Sequence, residues 1–280
     1  MSNTIIMEQK NKILPELRFP EFLNEGEWEE KKLGEVANIK RGAASNNLNY
    51  VEKNSISSIR LIRINDFLSN QPVYVESTEE MTRYRIRSGD ILIAGTGATA
   101  GITFMVPDEF DNLAYSYNVP RIRLHSSNNF FVYYYLNSTT ILEQQKRMFV
   151  GNAQPFLDTK AIGSFNLYLP KNDIEQQKIA DCLTSLDEVI TAHNDKLEAL
   201  KNHKKGLLQN LFPQEGQTVP NYRFPEFMND GDWEIKTVSE VAYYENGKAH
   251  EQHIIINGKY KVVNSKFIST DGEVVKYTNE

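Results

Sequence analysis

The chain has 280 residues, 40% of them hydrophobic and 24% charged, which is ordinary for globular protein and long enough to bury a core. Its one cysteine, Cys182, excludes an internal disulfide framework and points to a reducing compartment. No apolar run approaches the ~18 residues of a membrane span, and "MSNTIIMEQKNKIL" lacks an apolar leader, so the expected location is the cytoplasm. A net charge of −6 argues weakly against nucleic acid as a partner, because an obligate binder usually carries a basic field. The distribution qualifies the total: 8 of the 11 arginines lie between Arg41 and Arg123, and residues 38–123 hold only 2 lysines. Arginine's planar fork suits bidentate contacts to phosphate or guanine edges, whereas the competing reading pairs these arginines with nearby acids on a solvated face.

In chain order, residues 28–172 are strand-rich and predict a mixed domain. "SIRLIRINDF" (58–67) alternates apolar and polar side chains, "GDILIAGTGATAGITFMVP" (89–107) reads as strand, glycine turn and strand, and "VPRIRLH" (119–125) is a further short strand. "FVYYYLNSTTILEQQKRMF" (131–149) has the length and period of one helix. Residues 174–211 then carry heptads. Ile179, Leu186, His193, Leu200 and Leu207 fall at one seam position, and Leu183, Ile190, Leu197, Lys204 and Leu211 at the other. With no proline inside, this predicts a continuous helix of about 57 Å that needs another long helix against it. His193, near the middle of the seam, either fixes register and orientation or sits at a wet contact.

The segment "RFPEF" occurs at 18–22 and again at 223–227, within a longer repeat. Residues 17–37 and 222–242 share 13 identities in 21 positions without a gap, including Pro20/Pro225, Gly26/Gly231 and Trp28/Trp233. A period of 205 residues is far too long for a solenoid, so the repeating unit is a domain with its connector. The expected organisation is an N-terminal arm (1–27), a mixed α/β domain (28–172), a long coiled-coil helix (173–212), and a linker with the start of a second similar domain (213–280). The fold class is thus α+β. Two like modules joined by a rod suit a protein that grips a polymer at fixed separation.

Catalytic motifs do not assemble. "GTGATAG" (95–101) runs into a strand rather than the helix a phosphate loop requires, and "HEQH" (250–253) has no further Cys or His nearby to complete a metal site. "PDEF" (107–110) lacks a downstream Glu-x-Lys partner, and neither a Ser-His-Asp nor a Cys-His set forms from five histidines and one cysteine. The chain is expected to be no enzyme and to bind no metal.

At this point the residues carry a likeness to a known family. "WEEKKLGEVA" (28–37), "GDILI" with "GATAG" (89–93, 97–101), and "NAQPFLDTKAIGSFNLYLP" (152–170) leading into "EQQKIADCLTSLDEVI" (175–190) resemble the specificity subunit of Type I restriction-modification enzymes, here C-terminally truncated. The resemblance implies target-recognition domains that each read one half of a split double-stranded DNA sequence, and long helices packed antiparallel. It implies docking to modification subunits and, through the complex, to restriction subunits, with S-adenosylmethionine, ATP and Mg on those partners and no cofactor on this chain. An antiparallel homodimer through Ile179, Leu183, Leu186, Ile190, His193, Leu197, Leu200, Leu207 and Leu211 is an expected route to a second recognition domain. The alternative is a truncated inactive or regulatory scaffold fragment that assembles through its coiled coil without binding DNA. Side chains with base-matching donors and acceptors in loops or at strand ends give the candidate DNA contacts Lys40, Arg41, Arg60, Arg63, Asn65, Arg83, Asn152 and Gln154. Phosphate contact or a structural ion pair is the competing role for each.

Overall fold

A computed structural model of the chain describes residues 13–53, 55–67, 71–125, 127–150, 154–245 and 251–279. It divides into two units, residues 1–197 and 198–280, with the division inside one long helix. The first unit runs β1 (Glu29–Lys32), α1 (Leu33–Val36), β2 (Ala37–Lys40), β3 (Tyr50–Val51), β4 (Ser58–Ile62), β5 (Val73–Glu76), β6 (Ile91–Ile93), β7 (Thr103–Met105), β8 (Ala114–Tyr115) and β9 (Arg121–Leu124). Helices α2 (Asn129–Leu136), α3 (Thr139–Phe149) and α4 (Thr159–Gly163), then β10 (Asn166–Leu169), lead into α5 (Asp173–Leu211). Beyond α5, the second unit contains α6 (Val238–Val241), β11 (Tyr260–Val262), α7 (Ser265–Ser269) and β12 (Lys276–Thr278), with β11 and β12 paired antiparallel. The architecture is α+β, a mixed domain followed by a long helix.

Two four-stranded sheets make the body of the first unit. One has the order β2-β9-β6-β7 and is antiparallel throughout; the other has the order β3-β5-β4-β8, with β4 and β8 parallel. Strand β6 shows how they share a core. Ile91 and Ile93 pack among Phe131 and Val132 of α2, Ile141 of α3 and Ile162 of α4, while Leu92 points the other way, to Ile62, Tyr115 and Val119. Side chains alternate across a strand, so a strand covered on both faces must be apolar at every position. The "ILI" at 91–93 meets that requirement.

The run at 131–149 predicts one helix and folds as two. Asn137 ends α2: its amide donates to the Tyr133 carbonyl at 2.8 Å, and its Oδ1 accepts from Thr103 Oγ1 at 2.9 Å. Ser138 then takes extended backbone as the N-cap of α3. Short polar side chains that bond the nearby backbone compete with helix continuation, and hydrophobic periodicity does not register that competition.

The first and last strands of the domain, β1 and β10, pair antiparallel from Glu29↔Leu169 to Lys32↔Asn166. That closure sets the 13–28 segment against the start of α5, where an ion pair locks it. Arg18 donates from Nε and Nη2 to the two oxygens of Glu175, each at 2.6 Å, and from Nη1 to the Gly26 carbonyl at 2.7 Å. The Trp28 indole N–H adds a bond to Glu175 Oε1 at 3.3 Å. The side chains of Arg18 and Glu175 are 6% and 0% exposed, and the bonded carboxylate raises the Arg18 pKa. One turn on, Lys178 pairs with Glu21 and lies over the Phe19 ring.

The sequence repeat is also a repeat of local structure. The 3₁₀ turns Pro20–Phe22 and Pro225–Phe227 correspond, as do α1 and α6, in each of which a glutamate in the first turn accepts from the N-cap amide, Glu35 from Lys32 at 3.0 Å and Glu240 from Thr237 at 2.6 Å. The Trp28 amide bonds the Ile13 carbonyl at 3.0 Å, and the Trp233 amide bonds the Thr218 carbonyl at 2.8 Å, the same pairing 205 residues on.

Removing one partner of a buried, bidentate pair leaves the other charge uncompensated. Glu175→Ala is expected to destabilise the first unit by about 3–5 kcal/mol in urea unfolding, and Arg18→Met combined with Glu175→Leu should recover most of that loss.

Candidate nucleic-acid interface

Strand β2 ends at the exposed Lys40, and Arg41 follows it into a junction of three loops. The Arg41 guanidinium lies over the Tyr117 ring at 4.3 Å and the Phe156 ring at 4.9 Å. It donates to the carbonyls of Tyr117 (3.3 Å) and Leu157 (3.4 Å). Backbone bonds hold those loops together. Ala43 N donates to the Tyr115 carbonyl at 2.9 Å and Tyr117 N to the Ala43 carbonyl at 2.8 Å; Gly95 N donates to Asn118 at 2.9 Å, and Leu157 N to Gly95 at 2.8 Å. Gly42 is required here, because a Cβ would sit 2.1 Å from the Tyr115 carbonyl oxygen. The glycine loop at 95–101 is a connection between β6 and β7, as its sequence predicts, and Gly97 N bonds the Pro155 carbonyl at 3.1 Å.

A second corner of the site is built on Asp66, whose side chain is fully buried. Arg60 Nη2 donates to Oδ1 at 3.0 Å, the Arg63 amide donates to Oδ2 at 3.0 Å, and Arg63 Nε lies 3.5 Å from Oδ2. Arg63 also donates to the Gln71 carbonyl at 3.0 Å, while Arg60 lies over the Phe110 ring. Between the two corners lies a groove of about 510 Å³ whose lining includes Ser45, Tyr50, Arg63, Asn65, Tyr117 and Asn118. Its chemistry is that of hydroxyls, amides, a guanidinium and an exposed ring. Among the described residues, no three His, Cys, Asp or Glu side chains gather to hold a metal ion.

The structure thus brings Arg63 and Asn65 to one groove and sets Arg41 beside it on Tyr117. Gln154 is exposed, its Nε2 4.0 Å from where a Gly97 Cβ would stand, two residues before Phe156, whose ring lies against Arg41. Arg60 is drawn inward to Asp66. Arg83 is exposed on the 3₁₀ turn Glu80–Tyr84, and no described contact joins it to the groove. Asn152 lies outside the described residues, as does His250 of the "HEQH" run. Sequence patterning misses Tyr117, Asn118 and Phe156. The only local signal is the turn composition of "SYNVP" at 116–120.

The other arginines of the cluster serve the scaffold. Arg123 holds Asp90 through two bonds at 2.7 and 2.6 Å, and Asp90 in turn accepts from the Arg87 amide. Arg85 donates to the Asn112 carbonyl and Ser77 Oγ, and the buried Arg121 to Asn38 at 2.9 Å. Burial lowers the Arg121 pKa and raises that of Tyr115, whose hydroxyl donates to the Arg41 carbonyl at 3.3 Å.

Along α5, Ile179 and Leu183 are half-buried, Ile179 against the first unit's core, and Tyr134 of α2 donates to Asp187 at 2.8 Å. Every residue at 185–205 is exposed, including Leu186, Ile190, His193, Leu197 and Leu200; Leu207 is also exposed and Leu211 is half-buried. No helix among the described residues is long and apolar enough to cross a membrane.

A family model described as "Type I restriction modification DNA specificity domain" matches residues 25–202. A specificity subunit of the Type I restriction enzyme MjaVIII from Methanocaldococcus jannaschii is 24% identical over 166 residues, which are 58% of this chain and 37% of that protein. Among solved structures, the S subunit of a Type I restriction-modification system from M. genitalium aligns over 66% of this chain and 46% of its own, at 19% identity and a TM-score of 0.44. The HsdS subunit from Thermoanaerobacter tengcongensis aligns over 69% and 51%, at 20% identity and a TM-score of 0.44. The chain therefore spans about half the length, or less, of these relatives.

Gly42→Ala forces a methyl group onto backbone atoms. It is expected to lower stability by roughly 1–3 kcal/mol in thermal unfolding, and to loosen the 41–48 and 116–118 loops, read as faster amide hydrogen exchange there.

Proposed function

The chain belongs to the family of the Type I restriction modification DNA specificity domain, and from that premise we propose that it is a DNA-recognition component of a Type I restriction-modification complex. It reads one half of a split double-stranded target, docks modification subunits and, through them, meets restriction subunits in the cytoplasm. Catalysis, with S-adenosylmethionine, ATP and Mg, belongs to those partners. The observation that carries the reading is the groove beside Arg41, a guanidinium held between two aromatic rings next to an open surface of amides and hydroxyls. Stacking fixes the plane of the guanidinium, and a fixed plane favours bidentate contact with a base edge or a phosphate. Arg41, Arg63, Asn65 and Gln154 take the role of base contacts, Lys40 and Arg83 that of phosphate contacts, and Arg60 positions the Asp66 corner. The chain's acidic total is compatible with this, because recognition depends on the local face rather than on net charge.

A second observation concerns assembly. The apolar seam of α5 from Leu186 to Leu207 is exposed and needs a cover. A second copy of the chain, paired antiparallel through that seam, supplies one and presents two identical recognition domains. The alternative role, a scaffold that assembles through α5 and leaves DNA alone, predicts the same pairing with no salt-dependent DNA binding.

Two measurements separate these outcomes. With the cognate modification subunit and S-adenosylmethionine, methylation mapping on genomic DNA should give one split motif, and Arg41→Ala should weaken duplex binding about tenfold or more; methylation without sequence preference would refute the reading. Leu186→Asp with Ile190→Asp should convert a dimer to a monomer by light scattering. An unchanged mass would exclude pairing through the seam.

A further inference from the structure

On one face of the β2-β9-β6-β7 sheet, Leu92 packs on Ile62 and Tyr115 of the other sheet. Side chains directly opposite in an antiparallel ladder share a face, and so do residues two apart on a strand. The pairs Leu92↔Arg121 and Lys40↔Arg121 therefore form one row on that face. It runs outward from buried Leu92 on β6, through Arg121 on β9, 6% exposed, to exposed Lys40 on the edge strand β2. The next row holds Asp90, just before β6, then Arg123 on β9 and, opposite it on β2, the exposed Asn38.

The two rows differ in how their arginine is compensated. Arg123 is bidentate to Asp90, at 2.7 and 2.6 Å. In the Arg121 row a leucine takes the carboxylate's place, and the neighbour on the other side is a lysine. Among the described residues, Arg121 makes one side-chain hydrogen bond, from Nη2 to Asn38 Oδ1 at 2.9 Å, and its Nε is buried with no acceptor. That bond ties it into the scaffold and leaves most of a guanidinium's five N–H donors, and its charge, unmatched. Burial pushes the Arg121 pKa down, as it does for a cation without a counter-charge. The groups at the solvent end of the rows are donors too. Lys40 Nζ has no ion pair or hydrogen bond to a described residue, and Asn38, with its oxygen on Arg121, presents its amide N–H groups. Across both rows three cations face one carboxylate, which Arg123 already holds.

We propose that Asn38, Lys40 and Arg121 form a notch that binds one phosphate group at the β2 edge. Its oxygens accept from Lys40 Nζ, the Asn38 amide and the Arg121 guanidinium, and its negative charge compensates the buried cation. The notch borders the groove: Lys40 directly precedes Arg41, and β9 begins four residues after Tyr117, whose ring Arg41 covers. A backbone phosphate held there sets the position of a duplex whose bases meet the groove. The DNA backbone and free phosphate share this chemistry. The place beside the groove favours the backbone, and that assignment rests on the DNA-recognition reading; the notch itself does not.

Two arms test the notch, both on the full 280-residue chain. In the first, inorganic phosphate is titrated at constant ionic strength while thermal unfolding is followed. The midpoint of the unaltered chain is expected to rise saturably by about 2–4 °C, and those of Lys40→Gln and Arg121→Met to stay level. In the second, the chain assembled with its modification subunit binds a random-sequence duplex over a range of salt. Each variant should reduce the salt slope by about 0.9, the share of one phosphate, and the double variant no further, because both side chains meet the same group. Lys40→Gln alters an exposed side chain, so the test stands even where Arg121→Met does not fold. Reduced slopes assign the notch to the DNA backbone; phosphate stabilisation with unchanged slopes assigns it to the free anion. An unmoved midpoint in the unaltered chain together with unchanged slopes overturns the proposal, as does a double variant that loses twice the slope. A complex that binds no duplex defeats the DNA-recognition reading instead, and an unmoved midpoint then overturns the notch by itself.

Discussion

The bidentate pair between Arg18 and Glu175 is the constraint on which the first unit depends. Two charges that are almost wholly removed from water are tolerable only when each is fully bonded, and here the guanidinium satisfies both carboxylate oxygens while its third nitrogen takes the Gly26 carbonyl. The geometry demands that the 13–28 segment, the turn at Gly26, Trp28 and the first turn of α5 all be in place at once. It therefore couples the closure of the β1–β10 pair to the direction in which α5 leaves the domain. Gln176, bonded to the Pro170 carbonyl and accepting from the Asn128 amide, ties the same turn to the start of α2. A helix held this way is rigid at its root, whatever its exposed remainder packs against.

The rest of the unit supports a set of loops. A sheet buried on both faces gives a stiff base, and the loops at 41–48, 116–118 and 154–157 are pinned to it by backbone bonds rather than by side-chain packing alone. Recognition by loops on a rigid frame is a common solution, since loops tolerate variation while the frame keeps their spacing. The arginine-rich stretch divides between the two tasks. Arg85, Arg121 and Arg123 wire strands and turns together, Arg60 and Arg63 share Asp66, and Arg41 is stacked at the edge of the groove. The fork that suits phosphate also suits buried carbonyls and carboxylates, so enrichment in arginine by itself does not separate frame from site.

The sequence by itself determined the elements whose causes are local or periodic: the long α5, from heptads free of proline; the β6–β7 hairpin, from an apolar triplet and glycines; and the duplicated entrance segment, from thirteen identities in register. It also carried the family, through motifs whose order is more specific than any one of them. Only the tertiary structure decided what depends on residues far apart in the chain. Asn137 is bonded to Thr103, 34 positions away, Arg60 lies over the Phe110 ring, 50 positions on, and Tyr117 and Phe156 flank Arg41 although they lie 76 and 115 positions from it. The two RFPEF segments make the point most directly. Identical residues fold into the same local turns, yet Arg18 pairs with Glu175 whereas Arg223, among the described residues, bonds only backbone carbonyls. Whether a buried charge finds its partner depends on which distant segment the fold brings to it, and no local pattern encodes that.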